Sequence, residues 1–192
     1  MTKGAIDNPV ITEHALAHEE QGYGLLSQTI PEFRSGVWRL LRCHVTAVRK
    51  QRRKRIVYYS VSWREKAAGR ARAHEIVAKV YGSDRGAKAH AVLRQLWKAG
   101  FRPPARQRVP RPYGYSAAAG TLLQGNAAGA AWADSLQGSE AAIESASSRA
   151  ALWLLRLQRS PLAAEVYPWE SDAASLRRFA AELAHSFPPY AP

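Results

Sequence analysis

Two segments of the chain alternate apolar and polar residues with a period of two, and this alternation predicts strands. They lie at residues 55–63 and 74–81, are rich in β-branched and aromatic side chains, and are joined by a polar link. Three further strands are predicted at 43–49, 113–115 and 121–124. The pattern therefore predicts five strands in the first two thirds of the chain.

The strand at 74–81 carries a lysine in its middle. Ile76, Ala78 and Val80 point to one side of this strand and Lys79 points to the other. Strands disfavour lysine, and burial of an unpaired ammonium group costs free energy. Two interpretations follow: either Lys79 lies on an edge or a solvated face, or it grips a phosphate group on the sheet.

The segment after this strand has the periodicity of a helix. Asp84 stands where an N-cap belongs and Gly100 stands where the helix stops, which predicts a helix over residues 85–99. Its predicted apolar stripe consists of Ala89, Val92, Leu93, Leu96 and Trp97. This spacing buries one face of the helix.

Two helices are predicted in the second half of the chain. Ser139 caps the first, and Ser160-Pro161 ends it. Its predicted core residues are Ile143, Ala146, Ala150, Leu154 and Leu157. A last helix is predicted to begin at Ser171 or Asp172 and to run through Leu183.

The amino-terminal part is moderately polar and has weak periodicity. Thr12 is expected to cap a short helix that runs through Glu20. Gly22, Gly24 and Pro31 are expected to break the chain that follows.

Charge is distributed unevenly along the 192 residues, whose net charge is +13. Residues 34–111 contain 22 Lys and Arg against three acidic residues. Six of the seven residues at 49–55 are basic, and this run stands between two predicted strands, as the tip of a hairpin. A basic first half predicts that this half faces an anion: a nucleotide, a nucleic acid or an acidic partner.

The composition also excludes several classes of protein. The single cysteine, Cys43, cannot form an internal disulfide or a cysteine-based zinc site. His14 and His18 lack a third ligand nearby, so no metal site is assigned. No apolar run is long enough to span a membrane, and the first residues lack the apolar core of a signal peptide. We therefore expect a cytoplasmic protein that makes no membrane contact.

Five segments in order carry a resemblance to a known family. They are the lysine strand Ile76-Val-Ala-Lys-Val-Tyr81, the helix segment Ala91-Val-Leu-Arg-Gln-Leu-Trp97 followed by Gly100-Phe101, the strand entry Val109-Pro-Arg-Pro112, the hinge Thr121-Leu-Leu-Gln-Gly-Asn-Ala-Ala-Gly129, and the helix segment Ala150-Ala-Leu-Trp-Leu-Leu-Arg-Leu-Gln-Arg-Ser-Pro-Leu162. Together they resemble the aminoglycoside phosphotransferase and choline kinase-like family, over residues 37 to 184 or so. The order and spacing of the segments carry the resemblance, because each one is short and apolar.

The resemblance implies an α+β fold. Residues 37–128 would form a kinase-like N-lobe, with an antiparallel sheet of about five strands plus one helix. Residues 1–36 would form a helical or irregular extension, and residues 129–192 a partial helical C-lobe.

The resemblance also implies a nucleotide site. Lys79 would contact the α- and β-phosphates of ATP, and backbone groups of Gln124, Gly125 and Asn126 would meet the base.

The chain departs from the family at several points. The lysine's carboxylate partner on the first helix should fall near Ala89 or His90, and neither is acidic. The turn at 49–55 contains no glycine, although small residues there would let backbone amides approach a phosphate. Phosphoryl transfer needs an aspartate to orient the acceptor and Asp or Asn ligands for magnesium, and no His-x-Asp occurs in the sequence.

These departures lead to the expectation of a truncated or degenerate phosphotransferase that binds ATP and does not catalyse transfer alone. No catalytic residue and no metal ligand is assigned, and Mg²⁺ would bind only if another chain supplied the C-lobe. A face bearing Leu152, Leu155, Phe179 and Leu183 would then be partly uncovered, which predicts self-association or a partner chain that completes the fold.

Two alternatives from other classes stay open. The first is a basic module that binds nucleic acid or another polyanion through residues 49–55. The second is a plain interaction subunit that completes its fold against a partner chain, which supplies the missing C-lobe. Salt dependence separates the first alternative from the other interpretations, because phosphate contacts weaken steeply as salt rises.

Overall fold

The computed structural model describes most of the first 161 residues and little beyond them. The described residues are 16, 18–51, 54–81, 84–127, 129, 138–161, 177 and 181. Residues 1–162 form one compact unit and residues 163–192 a second one. The elements below all belong to the first unit. The predicted last helix, with Phe179 and Leu183, lies outside the described residues apart from residues 177 and 181.

Five strands and four helices occur in the described part of the chain. The strands are β1 (Trp38–Gln51), β2 (Lys54–Glu65), β3 (Ala71–Tyr81), β4 (Pro112–Ser116) and β5 (Thr121–Gly125). The helices are α1 (Glu19–Thr29), α2 (Pro31–Arg34), α3 (Arg85–Lys98) and α4 (Glu140–Gln158). The predicted α+β class and the five strands are confirmed.

All five strands join one antiparallel sheet in the order β1-β2-β3-β5-β4. The chain crosses from β3 through α3 to β4 at the sheet edge, and β5 then returns between β4 and β3. Gln51 pairs with Lys54, so β1 and β2 form a hairpin whose tip is the basic segment. The position of β3 in the middle of the sheet places Lys79 between two neighbouring strands.

One face of the sheet packs against α1 and α2. The buried residues there include Leu25 and Leu26 from α1, Phe33 from α2, and Tyr59 from β2. Burial of such large apolar side chains is the main favourable contribution to folding. The extension therefore shares the main core with the sheet.

The expectation that Gly22 and Gly24 break the chain is wrong, because both lie inside α1. A Cβ atom on Gly22 would lie 2.5 Å from Cε1 of Tyr59 and 3.3 Å from Sγ of Cys43. Gly22 thus permits a close approach of α1 to the sheet. Tertiary packing here outweighs the low helix propensity of glycine.

The opposite face of the sheet receives α3. A Cβ atom on Gly86, in the first turn of α3, would lie 2.7 Å from the ring of Tyr115 and 3.0 Å from that of Tyr81. Tyr81 lies two residues from Lys79 and so projects from the same face. Of the predicted apolar stripe of α3, Leu96 is buried as expected, whereas Val92 is exposed.

The helix α4 packs against a second, smaller core. Ser139 accepts a hydrogen bond from the Ala142 amide, as an N-cap does. Trp153 and Leu157 of α4 pack against a cluster made by Leu96, Phe101 and Val109. This cluster joins α4 to the end of α3 and to the segment that follows α3.

The predicted core face of α4 is only partly correct. Ala146 is buried, whereas Leu154, expected inside, is 52 % exposed. Leu152 and Leu155 are exposed too, so they do not widen the buried face of α4. No helix among the described residues is both long and apolar enough to cross a membrane.

Candidate functional site

Lys79 lies at the middle of the sheet, on the face opposite the main core. Its neighbours in β3, Ala78 and Val80, are buried in that core, and alternation directs Lys79 away from it. It pairs in register with Ile56 of β2 and Leu122 of β5, both of which are buried. Lys79 is itself half-buried. The prediction that it points away from the core is confirmed, and the idea of an edge position is wrong.

The charge environment of Lys79 is purely repulsive. Burial lowers the pKa of its ammonium group below the usual 10.5, and the positive charge of Lys54 lowers it further. Lys54 pairs with Tyr81 and therefore lies on the same face, one row from Lys79. The ammonium group of Lys79 makes no hydrogen bond and no ion pair with any residue that the structure describes.

Two half-buried lysines without a carboxylate partner among the described residues favour an anion. A bound phosphate would favour the protonated form of Lys79 and would offset the repulsion between the two ammonium groups. Arg49 of β1 pairs with Ile56 and so projects from this face as well, with its guanidinium 5.5 Å from the Tyr58 ring centre. We call the surface formed by Arg49, Lys54 and Lys79 the lysine face.

The helix α3 does not supply a carboxylate to the lysine face. His90 stacks on Tyr115 with ring centres 6.5 Å apart. Burial lowers the pKa of His90 below its usual 6.5, and the charge of Arg94 lowers it further. His90 is therefore mostly neutral at pH 7, and an imidazole, neutral or protonated, cannot balance the charge of an ammonium group.

The segment predicted to meet a base is already engaged within the chain. Gln124 is buried and pairs with Val77. The Gly125 amide donates to the Arg111 carbonyl at 2.8 Å. The amide of Asn126 donates to the backbone carbonyl of Glu75 at 3.2 Å, and its side-chain nitrogen donates to the Glu75 carboxylate at 2.6 Å. These two backbone N–H groups are therefore occupied.

Cys43 is buried in the main core, as a small apolar residue would be. Burial raises the pKa of its thiol from the usual 9.0 to about 12, and the charge of Glu19 contributes to this rise. The thiolate form is rare at neutral pH, so Cys43 is a poor nucleophile. No group of three potential metal ligands occurs within the described ranges, and His14 lies outside them.

Sequence reasoning missed a group of rings at the far end of the sheet. Trp38, Trp63 and His74 come from three adjacent strands and stack on one another. Their positions in the sequence, 38, 63 and 74, have no regular spacing that relates them. Only the strand register, which pairs Leu40 with Trp63 and Trp63 with Arg72, brings them together.

No family model, curated protein or solved structure matches this chain. The resemblance to the phosphotransferase family therefore stays a hypothesis that depends on Lys79, the hinge segment and the order of the elements. The lysine face provides a basis for a function that is independent of that resemblance.

Proposed function

We propose that the lysine face binds the phosphate groups of a nucleoside triphosphate such as ATP, and that this chain alone does not transfer phosphate. The observation that carries the proposal is the position of Lys79, half-buried at the centre of the sheet beside Lys54 and without a carboxylate partner among the described residues. A buried cation that meets only another cation is costly, and a bound polyphosphate removes that cost.

The order of the elements supports the same proposal. A strand pair, a lysine strand, a helix and two returning strands form one sheet in the order β1-β2-β3-β5-β4. The family that the sequence resembles has this succession of elements in its N-lobe, with a lysine on the third strand that contacts phosphates. Arg49 and Lys54 would assist Lys79 in place of the glycine-bearing turn of that family.

Absence of catalysis follows from residues that the sequence lacks. Transfer of a phosphoryl group needs an aspartate near the acceptor hydroxyl and carboxylate or amide ligands for Mg²⁺. The sequence has no His-x-Asp, and Asp134 and Asp172 lie outside the described residues. Binding without transfer is therefore the activity proposed for these residues.

Calorimetric titration with ATP tests this proposal. Lys79→Ala should weaken binding about 10- to 150-fold, because a charge-assisted hydrogen bond contributes about 1.5–3 kcal/mol. Lys98→Ala is the matched control, since Lys98 is an exposed lysine in the last turn of α3. Equal affinities for the wild type and Lys79→Ala, or no binding of ATP to either, would remove the proposal.

The hairpin tip supports a second candidate, the binding of a polyanion such as duplex DNA. Lys50 pairs directly with Arg55, which places two positive charges opposite each other. Six basic residues in a run of seven form a dense positive charge, which attracts a polyanion. If all six basic residues at 49–55 contact phosphates, the slope of log affinity against log salt is about −5 on duplex DNA. A flat salt response would exclude this candidate.

A further inference from the structure

The stacked rings border a cleft of about 920 Å³ at the end of the sheet far from the basic hairpin. The strand β5 ends at Gly125, opposite Ile76, whereas β3 extends further, to Ala71. The cleft opens beside the part of β3 that continues past the end of β5. Its second wall is the segment 102–111, which follows α3. Its volume is within the usual range for a ligand site, about 300–1,000 Å³.

Three rings form a ladder along the first wall. The ring centres of Trp38 and Trp63 are 5.0 Å apart with planes 22° apart, and those of Trp63 and His74 are 5.0 Å apart with planes 23° apart. Arg111 closes one end, with its guanidinium 5.2 Å from the Trp38 ring centre. The other end is the exposed imidazole of His74. A planar ring placed on His74 would extend the ladder by one step.

The cleft is also positively charged. Its lining contains four arginines and two glutamates. Arg72 and Arg111 are held by Glu65 and Glu32, with N–O distances of 3.2 Å and 2.6 Å.

Arg102 and Arg108 are exposed. No ion pair or hydrogen bond joins the guanidinium group of either one to another residue in the described ranges. These two guanidinium groups are therefore available to an anionic ligand.

One buried polar atom in the wall supports a ligand as well. Trp63 is 2 % exposed, and its indole Nε1 has no hydrogen-bond partner in the part of the chain that the structure describes. A buried donor without a partner costs free energy, and such groups usually have an acceptor nearby. The ring of Trp63 borders the cleft, so this unpaired donor lies in the wall next to it.

We infer that this cleft binds a nucleotide unit, with the base stacked on His74 and the phosphate held by Arg102 and Arg108. Every base has a flat π face, and aromatic side chains combined with a positive groove are the usual means of binding single strands. The ladder lies on the core face, with Ile76 and Ala78, whereas Lys79 projects from the opposite face. The inference therefore goes beyond the proposed triphosphate site and does not depend on it.

Fluorescence anisotropy with a labelled oligothymidylate tests the stacking step. His74→Ala should weaken binding about 5- to 150-fold, which corresponds to the usual loss of one stacked base. His74→Phe should restore most of the affinity, because it keeps a flat ring. If His74 acted through an ion pair instead, His74→Phe would weaken oligothymidylate binding as much as His74→Ala.

The phosphate contacts are tested by the double variant Arg102→Ala, Arg108→Ala. It should reduce the steepness of the salt slope by about 1.4, since each contact with a single strand contributes about 0.7. Arg106→Ala is the matched control, because Arg106 is exposed in the same segment and does not border the cleft. Its affinity should stay within about twofold of the wild type, as surface substitutions usually do.

Competition by thymidine monophosphate identifies the source of the nucleotide unit. Displacement of the labelled strand by the monophosphate shows that a free nucleotide is sufficient, and resistance to it shows that a strand is needed. Equal affinity of the wild type and His74→Ala, or no binding of either probe, overturns the inference. Lys98→Ala should leave oligothymidylate affinity unchanged, because Lys98 is exposed and does not border the cleft. ATP affinity of Lys79→Ala is a separate measurement, so failure of the triphosphate proposal and failure of this one are distinguishable.

Discussion

Addition of one methyl group at Gly22 should destabilise the protein, although alanine favours helices. The new Cβ atom would lie 2.5 Å from the Tyr59 ring and 3.3 Å from Sγ of Cys43. The Tyr59 ring cannot move aside easily, because it is fully buried and its hydroxyl donates to the Leu16 carbonyl at 2.6 Å. The helix or the ring would therefore have to shift.

The size of the effect is obtained by comparison with Gly24, two residues further along α1. A Cβ atom on Gly24 would meet no atom within 4 Å, so Gly24→Ala should stabilise the protein by the full difference in helix propensity, about 1 kcal/mol. Gly22→Ala has the same gain, but overpacking of a core costs about 1–3 kcal/mol. The free energies of unfolding of the two variants should therefore differ by about 1–3 kcal/mol, because the gain in helix propensity is the same in both.

Thermal and urea unfolding of the wild type and both variants measure this difference. For a chain of this length, 1 kcal/mol corresponds to a change in Tm of about 2–4 °C, so the two variants should be separated by about 2–12 °C. Gly24→Ala should have the higher Tm, and Gly22→Ala the lower one. Equal increases in Tm for both would show that α1 does not need glycine to approach Tyr59, and the packing argument would fail.

Three further predictions concern single side chains. Because the pKa of Lys79 is lowered, its ammonium group loses its proton below pH 10.5, and ATP affinity should begin to fall below that pH as pH rises. Lys79→Arg should keep its ATP affinity to higher pH, since a guanidinium group stays charged. Calorimetric titration with ATP at several pH values measures both. Arg156→Ala should lower the free energy of unfolding by about 1.5–3 kcal/mol, because the Arg156 guanidinium donates to two backbone carbonyls at 2.9 Å. Arg159 is exposed, so Arg159→Ala should change the free energy of unfolding by less than about 0.5 kcal/mol in the same urea titration. Cys43 should resist a thiol reagent at neutral pH until the chain unfolds, since burial raises its pKa to about 12; rapid labelling of the native protein would contradict this.

Local pattern was sufficient to place the strands. The segments predicted at 55–63 and 74–81 lie inside β2 (Lys54–Glu65) and β3 (Ala71–Tyr81). Period-two alternation and β-branched side chains are properties of the segment itself, so no knowledge of its neighbours is needed. The first strand was predicted too short, because β1 begins at Trp38, where pairing with the end of β2 extends it.

The helix α1 shows where local pattern fails. Two glycines within three residues signal a break, and α1 runs through both. The reason is a contact with Tyr59 and Cys43, which follow Gly22 by many residues in the chain. Packing of this kind overrides propensity and cannot be read from one segment. The predictions that Leu154 and Val92 are buried were wrong for a related reason. The apolar stripe of a helix does not specify which part of the stripe another element will cover.

The two candidate sites differ in what was needed to find them. Lys79 could be identified from one strand, because a lysine flanked by Ala78 and Val80 must project away from the apolar side. The ladder of Trp38, Trp63 and His74 could not, because no spacing along the chain relates these rings. They become neighbours through the registers between β1, β2 and β3, and a shift of one residue in either register would send a ring to the other face of the sheet.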